Sequence, residues 1–182
     1  MTETKTTTKA TTKAATGKRK ALFLDRDGVI NVDRGYVGSR KDFFFVPGVF
    51  QALRAVQDKG YLLVVVTNQS GIGRGLFSEA DYQALTKWMR ARLRQEGIEI
   101  AAVYHDPTHP TEAKGGYLTV SENRKPAPGM ILQAAQDLDL DLDASAMIGD
   151  KASDVEAGKA AGVGQIFQIE SGDALSGVLE KI

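Results

Sequence analysis

Asp25 and Asp27 stand two residues apart in Asp25-Arg26-Asp27-Gly28-Val29, directly after the apolar run Ala21-Leu22-Phe23-Leu24. A short apolar run bounded by turn residues reads as a buried strand, so the pair falls where a strand ends. In open α/β sheets, ligands bind outside the carboxyl ends of the strands. One carboxylate there can act as a nucleophile and the other can move protons. Together they can also hold a hard cation such as Mg2+ through oxygen. Taken alone, the same pattern describes a solvated polar turn, because short motifs also match by chance.

Other polar signals follow the same logic. The apolar run Tyr61–Val66 ends in Thr67 and Asn68, with the glycine-rich Gly71-Ile72-Gly73-Arg74-Gly75 behind them. Lys125 precedes a helix in Arg124-Lys125-Pro126, and Ala144–Ile148 runs into Gly149-Asp150-Lys151 with Asp154 close behind. Acids from two strands can share Mg2+. A threonine hydroxyl and backbone N–H groups can hold phosphate oxygens. A lysine can neutralise a phosphate and a carboxylate nucleophile together. Four such signals in this order, three at strand ends and one before a helix, are hard to obtain by chance.

The elements that must position them alternate. Strands are expected at Ala21–Leu24, Tyr61–Val66, Ile98–Tyr104, Ala144–Ile148 and Gly164–Ile169. Helices are expected from Pro47-Gly48 to Lys59, from a Ser78 cap with Asp81 at N3 to about Glu96, from Pro128 to about Leu138, and over Ser153–Ala161. A short helix is expected to close the chain. Asn31–Phe45 reads as a loop or short hairpin over the first strand end, and His105–Arg124 as a long irregular stretch. The alternation predicts an α/β fold: a three-layer, doubly wound parallel sheet, cap-less because no long insertion is available for a second domain.

Composition sets the bounds. The chain has 182 residues, 42% hydrophobic and 25% charged, enough for one domain with a real core. It has no cysteine, which excludes disulfides, thiolate metal sites and a cysteine nucleophile. No apolar stretch approaches the roughly 18 residues needed to cross a bilayer, and no secretory signal is evident. A cytoplasmic, monomeric protein with no membrane partner is expected. Net charge is zero, yet residues 1–20 carry six basic side chains and one acid, Glu3. Residues 1–19 are expected to be a disordered basic tail before a domain at 20–182. No nucleic-acid partner is expected, although such a tail could touch RNA or an acidic partner.

LDRDGVIN, VVTNQSGIGRG, NRKPAPGM and IGDKASDVEAG together resemble the four motifs of the haloacid-dehalogenase superfamily. The likeness is strongest to its small cap-less branch of heptose-bisphosphate and histidinol-phosphate phosphatases, and it extends from about Lys20 to the end. Gly35-Tyr36-Val37 also resembles the heptose enzymes. The resemblance implies a Mg2+-dependent phosphatase in which Asp25 attacks phosphorus to form an aspartyl-phosphate. Asp27 would protonate the leaving oxygen and then activate water. It further implies Mg2+ on Asp25, the Asp27 carbonyl and Asp150, and phosphate held by Thr67, Asn68 and Lys125. Asp154 would orient Lys125 or a water, and Arg124 and Lys151 would face a small phosphorylated sugar.

One departure is informative. Relatives carry a zinc loop, Cys-x-His followed by Cys-x-Cys, where this chain has Asp106, Thr108, Ser121 and Asn123. Zinc favours thiolates and imidazoles, so no zinc is expected, and the loop should be held by its own hydrogen bonds. His105 and His109 read as loop histidines. Arg40-Lys41 in a flap, together with Arg124, suggests an anionic second group on the substrate, which favours heptose bisphosphate over histidinol phosphate. A non-enzymatic phosphometabolite binder is the other class, but every residue needed for turnover is present. Arg74 reads equally as loop anchor or solvated surface, Trp88 and Met89 as core or interface, and the aspartates at 137, 139, 141 and 143 as a helix end and turn.

Overall fold

A computed structural model describes residues 17–170, 175–179 and 181–182. In chain order it contains β1 (Ala21–Leu24), α1 (Val49–Asp58), β2 (Leu62–Asn68), α2 (Ser70–Arg74), α3 (Glu79–Gln95), β3 (Ile100–Asp106), α4 (Gly129–Leu138), β4 (Ala146–Gly149), α5 (Ala152–Ala161), β5 (Gln165–Gln168) and α6 (Ser176–Leu179). The five strands form one parallel sheet in the order β3-β2-β1-β4-β5.

Side chains alternate across a strand, and β1 shows the consequence. Leu22 and Leu24 join Val65, Ile148 and the inner faces of α1 and α3, including Leu53 and Met89. Ala21 and Phe23 join Val64, Met147, Met130 and Ile131 of α4, and Ala157 of α5. Two cores on opposite faces give the three expected layers, and they explain why β1, β2 and β4 are apolar on both sides. The Ser78 hydroxyl accepts from Asp81 N–H and the Asp81 carboxylate accepts from Ser78 N–H, closing a capping box at the start of α3.

Strand order puts β1 at the centre, with the chain winding out to β2 and β3 on one side and to β4 and β5 on the other. Leu24 lies level with Val65 and with Ile148, and Asp25 N–H donates to Ile148 O at 3.1 Å. The polar residues after β1, β2 and β4 therefore emerge side by side, at the switch point where such sheets bind ligands.

Several expectations change in detail. β2 and β3 run on to Asn68 and Asp106 because the two strands stay paired through Thr67↔His105 and Asn68↔Asp106. His105 is thus a strand residue, stacked on Tyr82 at 4.3 Å and 3.0 Å from Glu79 Oε1. The glycine-rich turn forms the short helix α2. At Gly73 a Cβ would fall 2.4 Å from Pro107 O and 2.9 Å from Tyr117 Cβ, so only glycine lets α2 lie against the 107–117 chain. Arg19, assigned above to the tail, belongs to the fold: its N–H donates to Asp139 O and its carbonyl accepts from Asp141 N–H. Residues 1–16 of that tail lie outside the described residues.

Candidate active site

Lys125 sits between two acids. Its Nζ lies 3.0 Å from Asp25 Oδ1 and 2.6 Å from Asp154 Oδ1, and it donates to Val66 O at 2.8 Å. All three side chains are buried. Burial alone would lower the Lys125 pKa, but the two carboxylates more than reverse this and raise it above the ordinary lysine value. Asp154 reaches this position as N3 of α5, where it accepts from Lys151 N–H at 3.0 Å. Gly149 makes room for it: a Cβ there would lie 2.2–2.4 Å from the Asp154 side chain.

Asp25, Asp150 and Asp154 each offer a carboxylate oxygen within 4.8 Å of the others. Around them, Asp25, Asp27, Asp33, Asp150 and Asp154 face Arg26, Lys125 and Lys151. The three clustered carboxylates meet one ammonium, that of Lys125, and such an all-oxygen set with excess negative charge suits a divalent cation. The residues present fit Mg2+.

Asp27 is held from three directions. Arg26 Nη2 donates to both carboxylate oxygens at 2.9 Å, Asn31 Nδ2 to Oδ1 at 2.9 Å, and Gln69 Nε2 to Oδ2 at 2.9 Å. The Arg26 side chain is only 1% exposed and also donates to Val37 O. Gln69 donates as well to Thr67 Oγ1 at 2.9 Å, so Thr67 and Asp27 share one amide. Arg26, Asn31 and Gln69 were not singled out from sequence. Gln69 had a signal: it follows Thr67 by two residues, the spacing that puts strand neighbours on one face.

Asn68 lines the cleft and also ties Lys125 to β2. Its side-chain amide donates to Lys125 O at 2.9 Å, and its Oδ1 accepts from Lys125 N–H at 3.0 Å. That side chain therefore anchors the Lys125 backbone. Lys151 pairs with Asp33 at 3.1 Å, and Asp150, Asp25 and Asp33 outweigh its desolvation to raise its pKa above the ordinary value. A cleft of about 590 Å³ opens over this floor. Its lining includes Asp27, Tyr36, Arg74, His109, Arg124 and Lys151.

The 106–123 segment is tied internally. The buried Asp106 carboxylate accepts from Thr108 N–H at 2.9 Å, from Thr108 Oγ1 at 2.5 Å and from Ser121 Oγ at 2.6 Å. Ser121 Oγ in turn accepts from Asn123 N–H at 3.1 Å. These are the four positions at which the sequence departs from a zinc loop, and a carboxylate-centred set of hydroxyls and amides now links them. A tetrahedral zinc site of thiolates and imidazoles does not fit them. Arg124 Nη1 donates to Thr108 O at 2.8 Å, and Asp106 O accepts from Gln69 N–H at 2.7 Å. The hub thus touches both the cleft wall and the residue that holds Asp27.

One expectation is corrected. Arg40 lies with its guanidinium 5.0 Å from the centre of the Trp88 ring, and neither Arg40 nor Lys41 lines the cleft. The flap reaches the cleft through Asp33, Gly35 and Tyr36 instead. Arg124 and Arg74 line the cleft together with Lys125 and Lys151.

Residues 122–174 match the HAD-hydrolase-like family profile. A D-glycero-alpha-D-manno-heptose-1,7-bisphosphate 7-phosphatase of Burkholderia mallei is 52% identical over 157 residues, covering 86% of this chain and 83% of the relative. A D-glycero-beta-D-manno-heptose-1,7-bisphosphate 7-phosphatase of Vibrio cholerae is 48% identical, covering 87% and 85%. The crystal structure of D,D-heptose 1,7-bisphosphate phosphatase from B. bronchiseptica, complexed with magnesium and phosphate, superposes with a TM-score of 0.75. It is 32% identical and covers 88% of this chain and 86% of its own.

Proposed function

The chain belongs to the haloacid-dehalogenase-like phosphatases of the heptose-1,7-bisphosphate 7-phosphatase group, and on that premise we propose that it removes the 7-phosphate of D-glycero-D-manno-heptose 1,7-bisphosphate. The observation that carries the reading is the buried Asp25–Lys125–Asp154 contact at the edge of a 590 Å³ cleft whose mouth is lined by arginines.

The chemistry follows from the placement. Phosphoryl transfer asks mainly for in-line positioning and charge neutralisation. An oxygen of Asp25 attacks phosphorus while the bond to the sugar oxygen breaks. Lys125, 3.0 Å from that carboxylate, offsets repulsion between nucleophile and phosphoryl group. Thr67 and the Asn68 backbone at the end of β2 complete the phosphate cradle. Asp27 supplies the proton to the leaving sugar oxygen, then takes one from the water that hydrolyses the aspartyl-phosphate. Arg26, Asn31 and Gln69 fix the direction in which it points. Asp25, the Asp27 main-chain carbonyl and Asp150 would hold Mg2+, which supplies neutralisation of the phosphoryl oxygens when bound. Lys151 and Arg124 contact the sugar phosphate. The product feeds lipopolysaccharide or surface-polysaccharide precursor synthesis in the cytoplasm.

Phosphate release should be measured on both anomers of heptose 1,7-bisphosphate, histidinol phosphate and fructose 1,6-bisphosphate. A heptose anomer is expected to give the highest kcat/KM. A higher value on histidinol phosphate would overturn the substrate.

A further inference from the structure

Arg74 closes α2 and lines the cleft. Its guanidinium pairs with Glu112 Oε2 at 2.5 Å and lies 5.3 Å from the centre of the Tyr36 ring. Its Nε is buried with no hydrogen-bond partner. Arg124 lines the same wall, anchored to Thr108 O by one nitrogen. His109 is there too, its Nδ1 accepting from Thr111 and Glu112 N–H.

Charge is not balanced at this wall. The carboxylates that line the cleft are Asp27 and Asp33, and they are paired with Arg26 and Lys151. Arg74 and Arg124 have no carboxylate within the cleft lining. Glu112 reaches Arg74 from outside, with its side chain 57% exposed. The neighbouring groups register the excess. Burial depresses the His109 pKa first, and Arg124 and Arg74 depress it further. Burial also lowers the Arg124 pKa, with Arg74 adding to it against the pull of Asp106.

We propose that Arg74 is a specificity residue which, with Arg124, receives a second phosphate of the substrate, and that Glu112 is a resident counter-ion which this phosphate displaces. The proposal rests on the bisphosphatase reading above. An exposed carboxylate on a guanidinium contributes little when water can replace it. A dianionic phosphate meeting two arginine forks gains charge-assisted, bidentate contacts. Glu112 therefore competes with the substrate, and deleting its charge should help binding.

Steady-state kinetics on heptose 1,7-bisphosphate and on p-nitrophenyl phosphate test this with Arg74→Ala, Arg74→Lys and Glu112→Gln. Arg74→Ala should raise KM for the bisphosphate at least fivefold more than for the aryl phosphate, and Arg74→Lys should recover part of that difference. Glu112→Gln should lower KM for the bisphosphate two- to fivefold relative to the aryl phosphate. A merely structural salt bridge moves both substrates together and cannot improve binding. Equal losses on both substrates, or a bisphosphate KM that Glu112→Gln leaves unchanged or raises, overturn the proposal. If the wild type hydrolyses the aryl phosphate but not the heptose bisphosphate, the substrate reading fails separately. The second-phosphate site is then read from competitive inhibition of aryl phosphate hydrolysis by fructose 1,6-bisphosphate and by fructose 6-phosphate. Tighter inhibition by the bisphosphate that weakens in Arg74→Ala supports the site, and equal inhibition overturns it.

Discussion

The Lys125 ammonium stands 2.6 Å from the Asp154 carboxylate with both side chains buried. Removing one member of a buried pair leaves an uncompensated charge, at a typical cost of about 3–5 kcal/mol. In Asp154→Ala the nearby Asp25 still faces Lys125, so the cost should sit near about 3 kcal/mol. That corresponds to a fall in Tm of roughly 6–12 °C for a chain of this size. Turnover should also fall, because the ammonium loses one of its three tethers. A variant with wild-type Tm and wild-type kcat would show that the pair positions nothing.

The same group sets a limit at high pH. Its pKa is raised in the folded chain above the ordinary 10.5. Its contribution is complete below that value and is lost as pH rises through the folded pKa. Burial also raises the Tyr82 hydroxyl, from 10.0 to about 12. Between these values the unfolded tyrosine ionises while the folded one does not, which again favours unfolding. Urea midpoints should therefore be flat in this respect below pH 10 and fall above it, with a shallower fall in Tyr82→Phe. An identical alkaline slope in that variant would remove Tyr82 from the account.

Asp25→Asn should abolish turnover and leave the fold intact. The amide is nearly isosteric but cannot form the acyl-phosphate, and losing a covalent nucleophile costs on the order of 10³-fold or more. Phosphate release near the wild-type rate, from protein with an unchanged circular dichroism spectrum, would move the nucleophile elsewhere.

Metal dependence separates the two ends of the site. EDTA should remove activity and Mg2+ should restore it, while a zinc-selective chelator should leave it unchanged. Metal analysis of purified protein should find no stoichiometric zinc, because the positions at 106, 108, 121 and 123 carry hydroxyl, amide and carboxylate groups tied to one another. Asp106→Ala removes the centre of that hub and should cost about 2–4 kcal/mol, from hydrogen bonds to a charged acceptor. One tightly bound zinc per chain would sink this view of the loop.

The strand ends were legible because their chemistry and their periodicity coincide: Leu22 and Phe23 give the two buried faces, and Asp25 follows where the apolar run stops. α2 was not, since Ser70-Gly71-Ile72-Gly73-Arg74 has weak helix propensity and is held by packing at Gly73 that only the folded chain supplies. Arg40 was misplaced because a basic residue beside the site in sequence can turn toward an aromatic ring, here Trp88, instead. Arg26, Asn31 and Asp106 act through hydrogen bonds that depend on where their backbones lie. The Asp106 carboxylate reaches Ser121, 15 positions on, and its carbonyl accepts from Gln69 N–H of the neighbouring strand's end.

Arg124→Ala tests the cleft mouth from the other side. One guanidinium nitrogen is committed to Thr108 O at 2.8 Å, which fixes the fork and leaves its other donors for substrate. Losing one charge-assisted contact should cost about 1.5–3 kcal/mol, roughly ten- to a hundredfold in kcat/KM for heptose 1,7-bisphosphate. Most of it should enter through KM, because a remote phosphate is bound alike in ground and transition states. The loss on p-nitrophenyl phosphate, which has no second phosphate, should be several-fold smaller. If the two substrates suffer equally and through kcat, Arg124 serves the transferred phosphoryl group. The anionic mouth group would then have to be recognised by Arg74 without it.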